Sequence, residues 1–230
     1  FFSHFLAMDQ LCALPRTWKQ DFYEDITLHY DDLELLLPGQ WLNDSIISYY
    51  FAYLCHDKFQ GHPDILFMPT SIAFLLSMVD DPRELISQFT PLNLPKRKLI
   101  LCAVNNNRDT EQTGGSHWAL VAYFQECNTW RYYDSLGSCI RSSAEQLCRK
   151  ISLLLAPPKP PAFETMEAPR QQNDSDCGVH VLATASWVAE SFRQKDAGFL
   201  LTDAVNGDAV TKLRRTVLAM ILAAAQQNAV

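Results

Sequence analysis

Three closely spaced apolar segments in the middle of the chain place the strongest limit on what it can fold into. Residues 98–104 and 117–124 are almost entirely apolar, and residues 129–134 form a third segment that is rich in aromatic side chains. Apolar runs of this length are typical of buried strands. Only four residues separate the second segment from the third, which predicts a hairpin. We therefore expect a small sheet at the centre of the chain.

The segments before and after this sheet have the spacing of helices. Apolar residues recur at helical intervals after Asn43, in residues 142–155, in residues 208–225, and most clearly after Cys177. The predicted buried face of the helix after Cys177 consists of Val181, Leu182, Ala185, Val188, Ala189 and Phe192. The predicted fold class is therefore α+β, with a small central mixed sheet flanked by helices.

The composition narrows the class of protein and its partners. Hydrophobic residues make up 48% and charged residues 20%, as in globular proteins, and the net charge of −7 argues against nucleic acid as the main partner. The seven cysteines are irregularly spaced and include no CxxC pair, so we expect a reducing compartment without a disulfide framework or a zinc site. No apolar run approaches the roughly 20 residues that span a bilayer, so no membrane partner is expected.

Cys177 is the first candidate for chemistry, because a polar, turn-forming run ends at this residue and an apolar helix begins. A helix N-terminus has unpaired backbone N–H groups and a dipole, and both favour a thiolate, the nucleophilic form of cysteine. Gly178 is expected to leave space beside the sulfur for an acyl group. The backbone N–H of Cys177 or Gly178, with an amide such as Gln171, can hold an oxyanion. The alternative is a buried, inert cysteine.

A nucleophilic cysteine needs a base, and His117 is the best-placed histidine. It lies where a glycine-containing loop enters the second strand, and catalytic groups often sit at such junctions. His180 is the rival base, three residues after Cys177 on the same helix. An i, i+3 pair leaves little room for a substrate carbonyl between its members. The alternative interpretation of His117 is a histidine that only satisfies a strand end.

Asp134 closes the third strand and is the candidate that orients this base. In an antiparallel hairpin the start of one strand lies beside the end of the next, which would bring Asp134 to His117. A carboxylate at this position holds the imidazole in the required tautomer and stabilises the imidazolium. The alternative is an ordinary strand-end aspartate in a turn with Ser135 and Gly137.

Four motifs together resemble the sentrin/SUMO-specific protease, or ubiquitin-like protease, family of cysteine peptidases. They are Trp-Leu-Asn-Asp at 41–44, Gly-Ser-His-Trp at 115–118, Tyr-Tyr-Asp-Ser at 132–135 and Gln-x-Asn-x-x-Asp-Cys-Gly at 171–178. The resemblance covers about residues 26–190 and implies a papain-like cysteine protease of the ubiquitin-like-protease type. Residues 26–230 are then expected to form a single protease domain, and residues 1–25 an N-terminal extension that the resemblance does not cover.

The resemblance implies a catalytic triad of Cys177, His117 and Asp134. Cys177 is the nucleophile, His117 acts as general base and then as acid, and Asp134 orients His117. Gln171 stabilises the oxyanion with backbone N–H groups such as that of Gly178. No cofactor or metal is implied.

The resemblance also implies how the substrate is bound. Trp41 and Trp118 roof a narrow tunnel for an extended Gly-Gly tail, because a channel closed by two indoles admits glycine and excludes bulkier residues. Asp44 resembles a position that helps to hold this tail.

Within the family the chain is most similar to the NEDD8-specific branch, through its compact length, the Leu-Asn-Leu-Pro element at 92–95 and the long polar loop before Gly114. This implies a monomeric isopeptidase in the cytoplasm and/or nucleus that removes NEDD8 from proteins and trims its precursor. SUMO or ubiquitin is the alternative modifier, although the acidity of the chain disfavours SUMO. Two further functions compete with this one: an acyltransferase, which would need a basic site for coenzyme A, and a non-catalytic binder of a ubiquitin-like protein.

Overall fold

The three central apolar segments form the inner strands of a mixed sheet in the computed structural model of the chain. The residues that this structure describes are 2–23, 25–107, 115–195 and 200–227. Their strands, in chain order, are β1 (Lys19–Phe22), β2 (Ile26–His29), β3 (Ile65–Met68), β4 (Leu99–Asn105), β5 (Trp118–Phe124), β6 (Thr129–Tyr133) and β7 (Ala162–Thr165). Strands β3 to β7 are neighbours in that order, and β1 pairs with β2 in a separate antiparallel ribbon.

The inner strands β4, β5 and β6 are antiparallel neighbours, whereas the edge strands β3 and β7 run parallel to β4 and β6. In the β5–β6 hairpin Leu120 pairs with Tyr133 and Phe124 with Thr129, and Asn128 has a positive φ of 50° in the turn. The predicted hairpin and mixed sheet are thus confirmed. The edge strands were not predicted, because each has only four residues and β7 is largely exposed.

Helices cover the sheet, and those at residues 44–53, 141–155, 177–194 and 207–227 follow the segments predicted to be helical from the sequence. In chain order they are α1 (Phe2–Ala13), α2 (Tyr30–Glu34), α3 (Asp44–Tyr53), α4 (Thr70–Met78), α5 (Pro82–Phe89), α6 (Arg141–Leu155), α7 (Cys177–Gln194), α8 (Leu201–Ala204) and α9 (Gly207–Gln227). A π-helical turn, Leu54–Lys58, continues α3, and 3₁₀ turns cover Thr90–Leu92 and Leu94–Lys96.

The inner strands β4 and β5 are buried on both faces of the sheet, which explains why they are continuously apolar instead of alternating with polar residues. In β4, Leu99, Leu101 and Ala103 face the core formed with α3, α7 and α9. Ile100 and Cys102 face the opposite core, formed with α4, α5 and α6. Helix α7 packs against β5. The side chains at the start of α7 are therefore held against the sheet.

Residues before the predicted domain boundary at residue 26 contact the same core. Ala7 and Leu11 of α1 are buried in the cluster that contains α7 and α9. Strand β1 pairs with β2 across the boundary. The division into residues 1–25 and 26–230 stays a prediction, but described residues of the extension contribute buried side chains to the rest of the chain.

The polar loop predicted before His117 lies largely outside the described residues, since these omit 108–114. Within the described ranges, no helix is both long and apolar enough to cross a membrane. All seven cysteines fall in described ranges and are free thiols.

Candidate active site

The β5–β6 hairpin brings His117 and Asp134 together, as its antiparallel pairing predicts. His117 directly precedes β5 and Asp134 directly follows β6, so both lie at the same end of the hairpin. His117 Nε2 is 2.6 Å from Asp134 Oδ1, and both side chains are almost completely buried. Burial strengthens this contact, because water does not compete for it.

Asp134 is held by several hydrogen bonds in addition to the one with His117. Its Oδ1 also accepts from the backbone N–H of Leu136 at 2.8 Å, and its Oδ2 accepts from the Tyr132 hydroxyl and from the backbone N–H of Cys139 at 2.9 Å. Burial by itself raises the pKa of Asp134, but the bonds with His117, Tyr132 and Leu136 outweigh burial and lower the pKa to about 2. The carboxylate is therefore ionised and fixed in orientation at neutral pH.

Tyr132 was not among the predicted site residues. A usable signal is its place two residues before Asp134, because alternate residues of a strand point to the same face of the sheet. The turn that was considered as the alternative role of Asp134 also forms, since Gly137 N–H donates to Asp134 O at 3.0 Å. The turn and the histidine contact coexist.

Cys177 is the first residue of α7, and its buried thiol interacts with the His117 ring. His117 Nδ1, the ring nitrogen that does not contact Asp134, is buried and has no hydrogen bond of normal geometry to any described residue. No hydrogen bond of normal geometry therefore joins this nitrogen to the sulfur, although the two groups interact electrostatically. Hydrogen bonds between catalytic groups often tighten only when a substrate binds.

The pKa of His117 is raised to about 9. Burial by itself lowers this pKa, but the hydrogen bond with Asp134 and the interaction with Cys177 outweigh burial. The imidazolium is therefore favoured at neutral pH, with the Asp134 carboxylate as its counter-charge.

The rival base His180 lines the same small cavity as Cys177 and Asp134. Burial lowers the pKa of His180, and the charge of Asp176 only partly opposes this effect. Its Nδ1 atom is buried without a hydrogen-bond partner among the described residues. His117, which has an orienting carboxylate, is therefore the better-prepared base of the two.

Gln171 lies in the loop before α7, and its side-chain amide is fixed by two hydrogen bonds. Its Oε1 accepts from Ser135 Oγ at 2.6 Å, and its Nε2 donates to the backbone carbonyl of Asn173 at 2.7 Å. An amide nitrogen carries two hydrogens, so one of its donors is not used by Asn173. The predicted oxyanion role depends on this second donor and stays a prediction.

Leu42 connects Trp118 to the start of α7. Trp118 Nε1 donates to the Leu42 backbone carbonyl at 2.9 Å. A Cβ atom added to Gly178 would lie 2.9 Å from Leu42 Cβ. The direction in which a side chain at position 178 would point is therefore occupied by Leu42, and Gly178 permits the segment that follows Trp41 to approach the residue beside Cys177. The expectation that Gly178 leaves space beside the sulfur for an acyl group stays a prediction.

The predicted substrate-binding residues Trp41 and Asp44 lie at the start of α3. Trp41 is 47% exposed, which is unusual for an indole, and Asp44 is an exposed residue of the first helical turn. The helix cap is Asn43, whose side chain accepts from the Ile46 backbone N–H at 3.1 Å. The Asp44 carboxylate is therefore not needed to cap α3. Its contact with a substrate tail stays a prediction.

The combined arrangement suits one kind of chemistry. A thiol at a helix N-terminus adjoins an imidazole, and the imidazole adjoins a buried carboxylate, as nucleophilic acyl transfer through a cysteine requires. No group of three or more metal-ligating side chains suited to an ion was found in the described part of the chain.

Comparison with known proteins gives one family. The model described as the Ulp1 protease family, C-terminal catalytic domain, matches residues 40–228. NEDD8-specific protease 1 of Arabidopsis thaliana is 34% identical over 206 residues, which cover 86% of this chain and 90% of that protein. Sentrin-specific protease 8 of Homo sapiens is 31% identical over 181 residues, which cover 78% of this chain and 85% of that protein.

Solved structures agree at the level of the fold. The C-terminal Ulp1 protease domain in complex with Smt3, the yeast ortholog of SUMO, superposes with a TM-score of 0.72 at 19% identity, covering 97% of this chain and 95% of that one. The SUMO protease Ulp1 with its catalytic cysteine oxidised to a sulfenic acid gives a TM-score of 0.74 at 20% identity, with the same coverage. The predicted family and fold are confirmed, and the chain belongs to the Ulp1 protease family of cysteine peptidases.

Proposed function

We propose that this chain is a thiol isopeptidase that cleaves after the C-terminal Gly-Gly of a ubiquitin-like modifier, and that NEDD8 is its preferred modifier. The observation that carries the proposal is the buried His117, which is hydrogen-bonded to Asp134 and interacts with the thiol of Cys177. The preference for NEDD8 is supported by the two relatives that are 31–34% identical over most of the chain, NEDD8-specific protease 1 and sentrin-specific protease 8.

The reactive form is an ion pair, in which the Cys177 proton already resides on His117 Nδ1, as the imidazolium favoured at neutral pH, and the sulfur is a thiolate. The sulfur then attacks the carbonyl carbon of the terminal glycine, and the carbonyl electron pair moves to oxygen. The unpaired N–H groups at the start of α7 and the second amide donor of Gln171 are the proposed donors to this oxyanion. Asp134 keeps Nδ1 directed at the sulfur and stabilises the imidazolium.

The second step breaks the bond between the glycine carbonyl and the target nitrogen. His117 gives its proton to the leaving amine, which is the lysine of a conjugate or the α-amine of a precursor tail, and a thioester to Cys177 remains. Water then loses a proton to His117 and attacks the thioester carbon. The modifier leaves as a carboxylic acid that releases its proton to solvent, and the proton that His117 took from water restores the starting ion pair with the sulfur.

The tail must reach Cys177 in an extended form for this chemistry. The contact of Trp118 with Leu42, and of Leu42 with Gly178, supports a channel at this point, with Trp41 and Trp118 as its roof. Such a channel selects glycine because glycine has no side chain. Asp44 is proposed to hold the tail from the start of α3.

Residues 26–230 act as one protease domain that works as a monomer in the cytoplasm and/or nucleus without a cofactor, preceded by residues 1–25. The free thiols of all seven cysteines support a reducing compartment.

A panel of fluorogenic tails tests the proposed function. Purified protein is offered NEDD8, SUMO and ubiquitin with a C-terminal fluorophore, and separately a NEDD8 vinyl-sulfone probe. The expected result is fastest cleavage of the NEDD8 tail and an adduct on Cys177. Faster cleavage of SUMO would overturn the preference for NEDD8. Tight binding without cleavage or adduct would instead favour a non-catalytic binder.

A further inference from the structure

Arg214 is a charged residue in the middle of an apolar helix face. On α9 it lies four residues after Val210 and just before Val217 and Leu218, all three of which are buried in the core. Arg214 itself is only 3% exposed. A buried guanidinium is unfavourable unless its donors are satisfied, so the contacts that satisfy them are informative.

One set of contacts reaches the residues directly before the nucleophile. Arg214 Nε and Nη2 both donate to Asp176 Oδ1, at 3.1 Å and 2.6 Å, and Nη2 also donates to Ser175 O at 3.2 Å. Asp176 immediately precedes Cys177, where α7 begins. Burial raises the pKa of Asp176, but the bonds with Asn173 and Arg214 outweigh burial and lower it, so this carboxylate is ionised. The ion pair thus fixes the backbone that enters α7.

A second set of contacts reaches the loop that leads to Trp41. Arg214 Nη1 donates to Leu35 O at 2.7 Å and to Leu37 O at 3.2 Å, and Nη2 donates to Gln40 O at 2.9 Å. These acceptors are backbone carbonyls, so the contacts specify the path of the loop and not the identity of its side chains. Gln40 immediately precedes Trp41.

One planar group therefore joins the segment that carries the nucleophile to the segment that carries the proposed tunnel residue. The same two segments are also in contact two residues after Gln40 and Asp176, where Leu42 packs on Gly178. Lysine cannot replace these contacts, because its donors radiate from one atom, whereas arginine presents five donors in a rigid plane.

We propose that Arg214 is a positioning residue that sets the distance between Cys177 and residues 35–41, the Trp41 segment. The proposal rests on the proposed function, since it assigns Trp41 to the tail and Cys177 to the attack. Arg214 acts through Asp176 and the loop carbonyls and does not touch the substrate. Its loss is expected to displace the tail relative to the sulfur, and displacements of about 1 Å can reduce turnover by roughly 100-fold.

The test compares four variants with the wild-type protein. Arg214→Met removes both sets of contacts, and Arg214→Lys keeps a charge for Asp176 but loses most carbonyl contacts. Asp176→Asn weakens the ion pair and the hydrogen bond from Asn173 but leaves the carbonyl contacts of Arg214 with the loop in place. Arg215→Met is the matched control, because it removes the same charge from an exposed position on the same helix. Folding is checked by circular dichroism, and active enzyme is counted by titration with the NEDD8 probe.

The expected pattern separates positioning from simple support of the fold. Per active molecule, kcat/KM for the NEDD8 tail should fall roughly 100-fold in Arg214→Met. The control should stay within about 2-fold, as surface substitutions usually do. Arg214→Lys should mainly raise KM, because the Trp41 segment loses its hydrogen bonds to the side chain at position 214. Asp176→Asn should mainly lower kcat, because the start of α7 is released.

A second readout does not need the modifier. Iodoacetamide labelling, followed by mass spectrometry of each peptide, gives the reaction rate of Cys177 relative to the exposed Cys127 in the same molecule. We expect this ratio and its pH profile to change in Arg214→Met and Asp176→Asn but not in Arg215→Met. The measurement remains informative if the wild-type protein cleaves none of the tails.

The outcomes of the two proposals are distinct. Failure of the wild-type protein to cleave any tail would overturn the proposed function. Wild-type cleavage together with equal kcat, KM and Cys177 labelling in folded Arg214 and Arg215 variants would overturn the positioning role alone. If Arg214→Met does not fold, the positioning role is tested with Arg214→Lys and Asp176→Asn. Unchanged kcat and KM in both of these variants would overturn that role.

Discussion

At the scale of single residues, the site depends on how firmly Asp134 is held. Its two oxygens accept from His117, from Tyr132 and from two backbone N–H groups that follow in the chain. The carboxylate therefore cannot rotate away from the imidazole. Catalysis is therefore expected to be sensitive to small substitutions at this site.

Replacement of Cys177 by alanine removes the nucleophile without changing the backbone of α7. Cleavage of a fluorogenic NEDD8 tail should be abolished, while affinity for the modifier, measured by calorimetry, should be largely kept. Cys127→Ala is the control, since this cysteine is exposed in the β5–β6 turn, and it should cleave at the wild-type rate. Substantial cleavage by Cys177→Ala would show that another group attacks the substrate.

Asp134→Asn keeps the shape of the side chain but removes its charge. The value of kcat should fall by roughly 10⁴-fold, as when the orienting carboxylate of a serine protease triad is made an amide. The pKa of His117 should fall from about 9, because the imidazolium loses its counter-charge. Titration of the His117 ring by NMR measures the second effect, and an unchanged pKa would contradict the coupling of the pair.

The same pair should make stability depend on pH. The pKa of His117 is about 9 in the folded chain against 6.5 for an unperturbed histidine, so its stabilising effect is complete below about pH 6.5 and is lost as the pH rises through 9. The pKa of Asp134 is about 2 against 3.8, so its effect is present above about pH 4 and is lost as the pH falls towards 2.

The free energy of unfolding of the wild-type protein should therefore exceed that of His117→Gln most between about pH 4 and 6.5. The difference should shrink towards pH 9 and towards pH 2. Urea unfolding at a series of pH values measures it. A difference that grows above pH 7 would mean that His117 is buried in its neutral form.

At the scale of elements, the start of α7 and the segment before α3 are fitted to each other. Gly178 is in contact with Leu42, and Leu42 accepts a hydrogen bond from Trp118 at the start of β5. Three elements thus meet around one leucine. A change at this point moves the proposed tunnel and the nucleophile together.

Gly178→Ala would place a Cβ atom 2.9 Å from Leu42 Cβ, which is too close for either to stay in place. We expect a loss of about 1–3 kcal/mol in the free energy of unfolding, as for other overpacked sites. The value of kcat/KM should fall by roughly 10–100-fold, because the Trp41 segment is displaced.

Gly207→Ala is the matched control for this change. A Cβ atom at Gly207, the first residue of α9, would meet no atom within 4 Å. This variant should keep the wild-type stability and rate. Equal effects of the two substitutions, in denaturant titration and in steady-state kinetics, would contradict the role of the Leu42 contact.

At the scale of the whole molecule, the sheet separates two cores, and the site lies at the edge of one of them. The core with α3, α7 and α9 also receives side chains from α1. The residues before position 26 are therefore expected to contribute to stability, whatever their part in catalysis.

Leu11→Ala tests this contribution, because Leu11 is 2% exposed in that core. The free energy of unfolding should fall by about 2–5 kcal/mol, the usual range for a buried leucine. Cys12→Ala, at the exposed neighbouring position, should change it by no more than about 0.5 kcal/mol. Thermal and urea unfolding measure both. Equal stability of the two variants would mean that residues 1–25 are separable from the fold.

Much of the fold and of the site could be predicted from local patterns. The hairpin was predictable because its strands are adjacent in the chain, and with it the meeting of His117 and Asp134. The long helices were predictable from their periodicity. The short edge strands β3 and β7 were not, because an edge strand of four residues is defined by its neighbour and not by its own composition.

The sequence by itself determined the inner strands, the long helices after residue 43, the chemical groups and their order, since periodicity, turn residues and the placement of Cys177 at a helix start are local properties. Tertiary structure alone decided that Leu42 fills the space over Gly178 and that Arg214 joins Asp176 to the loop before Trp41. An arginine on an apolar helix face is visible in the sequence, but its burial and its acceptors are not. They lie up to 179 residues away, and only packing brings them together.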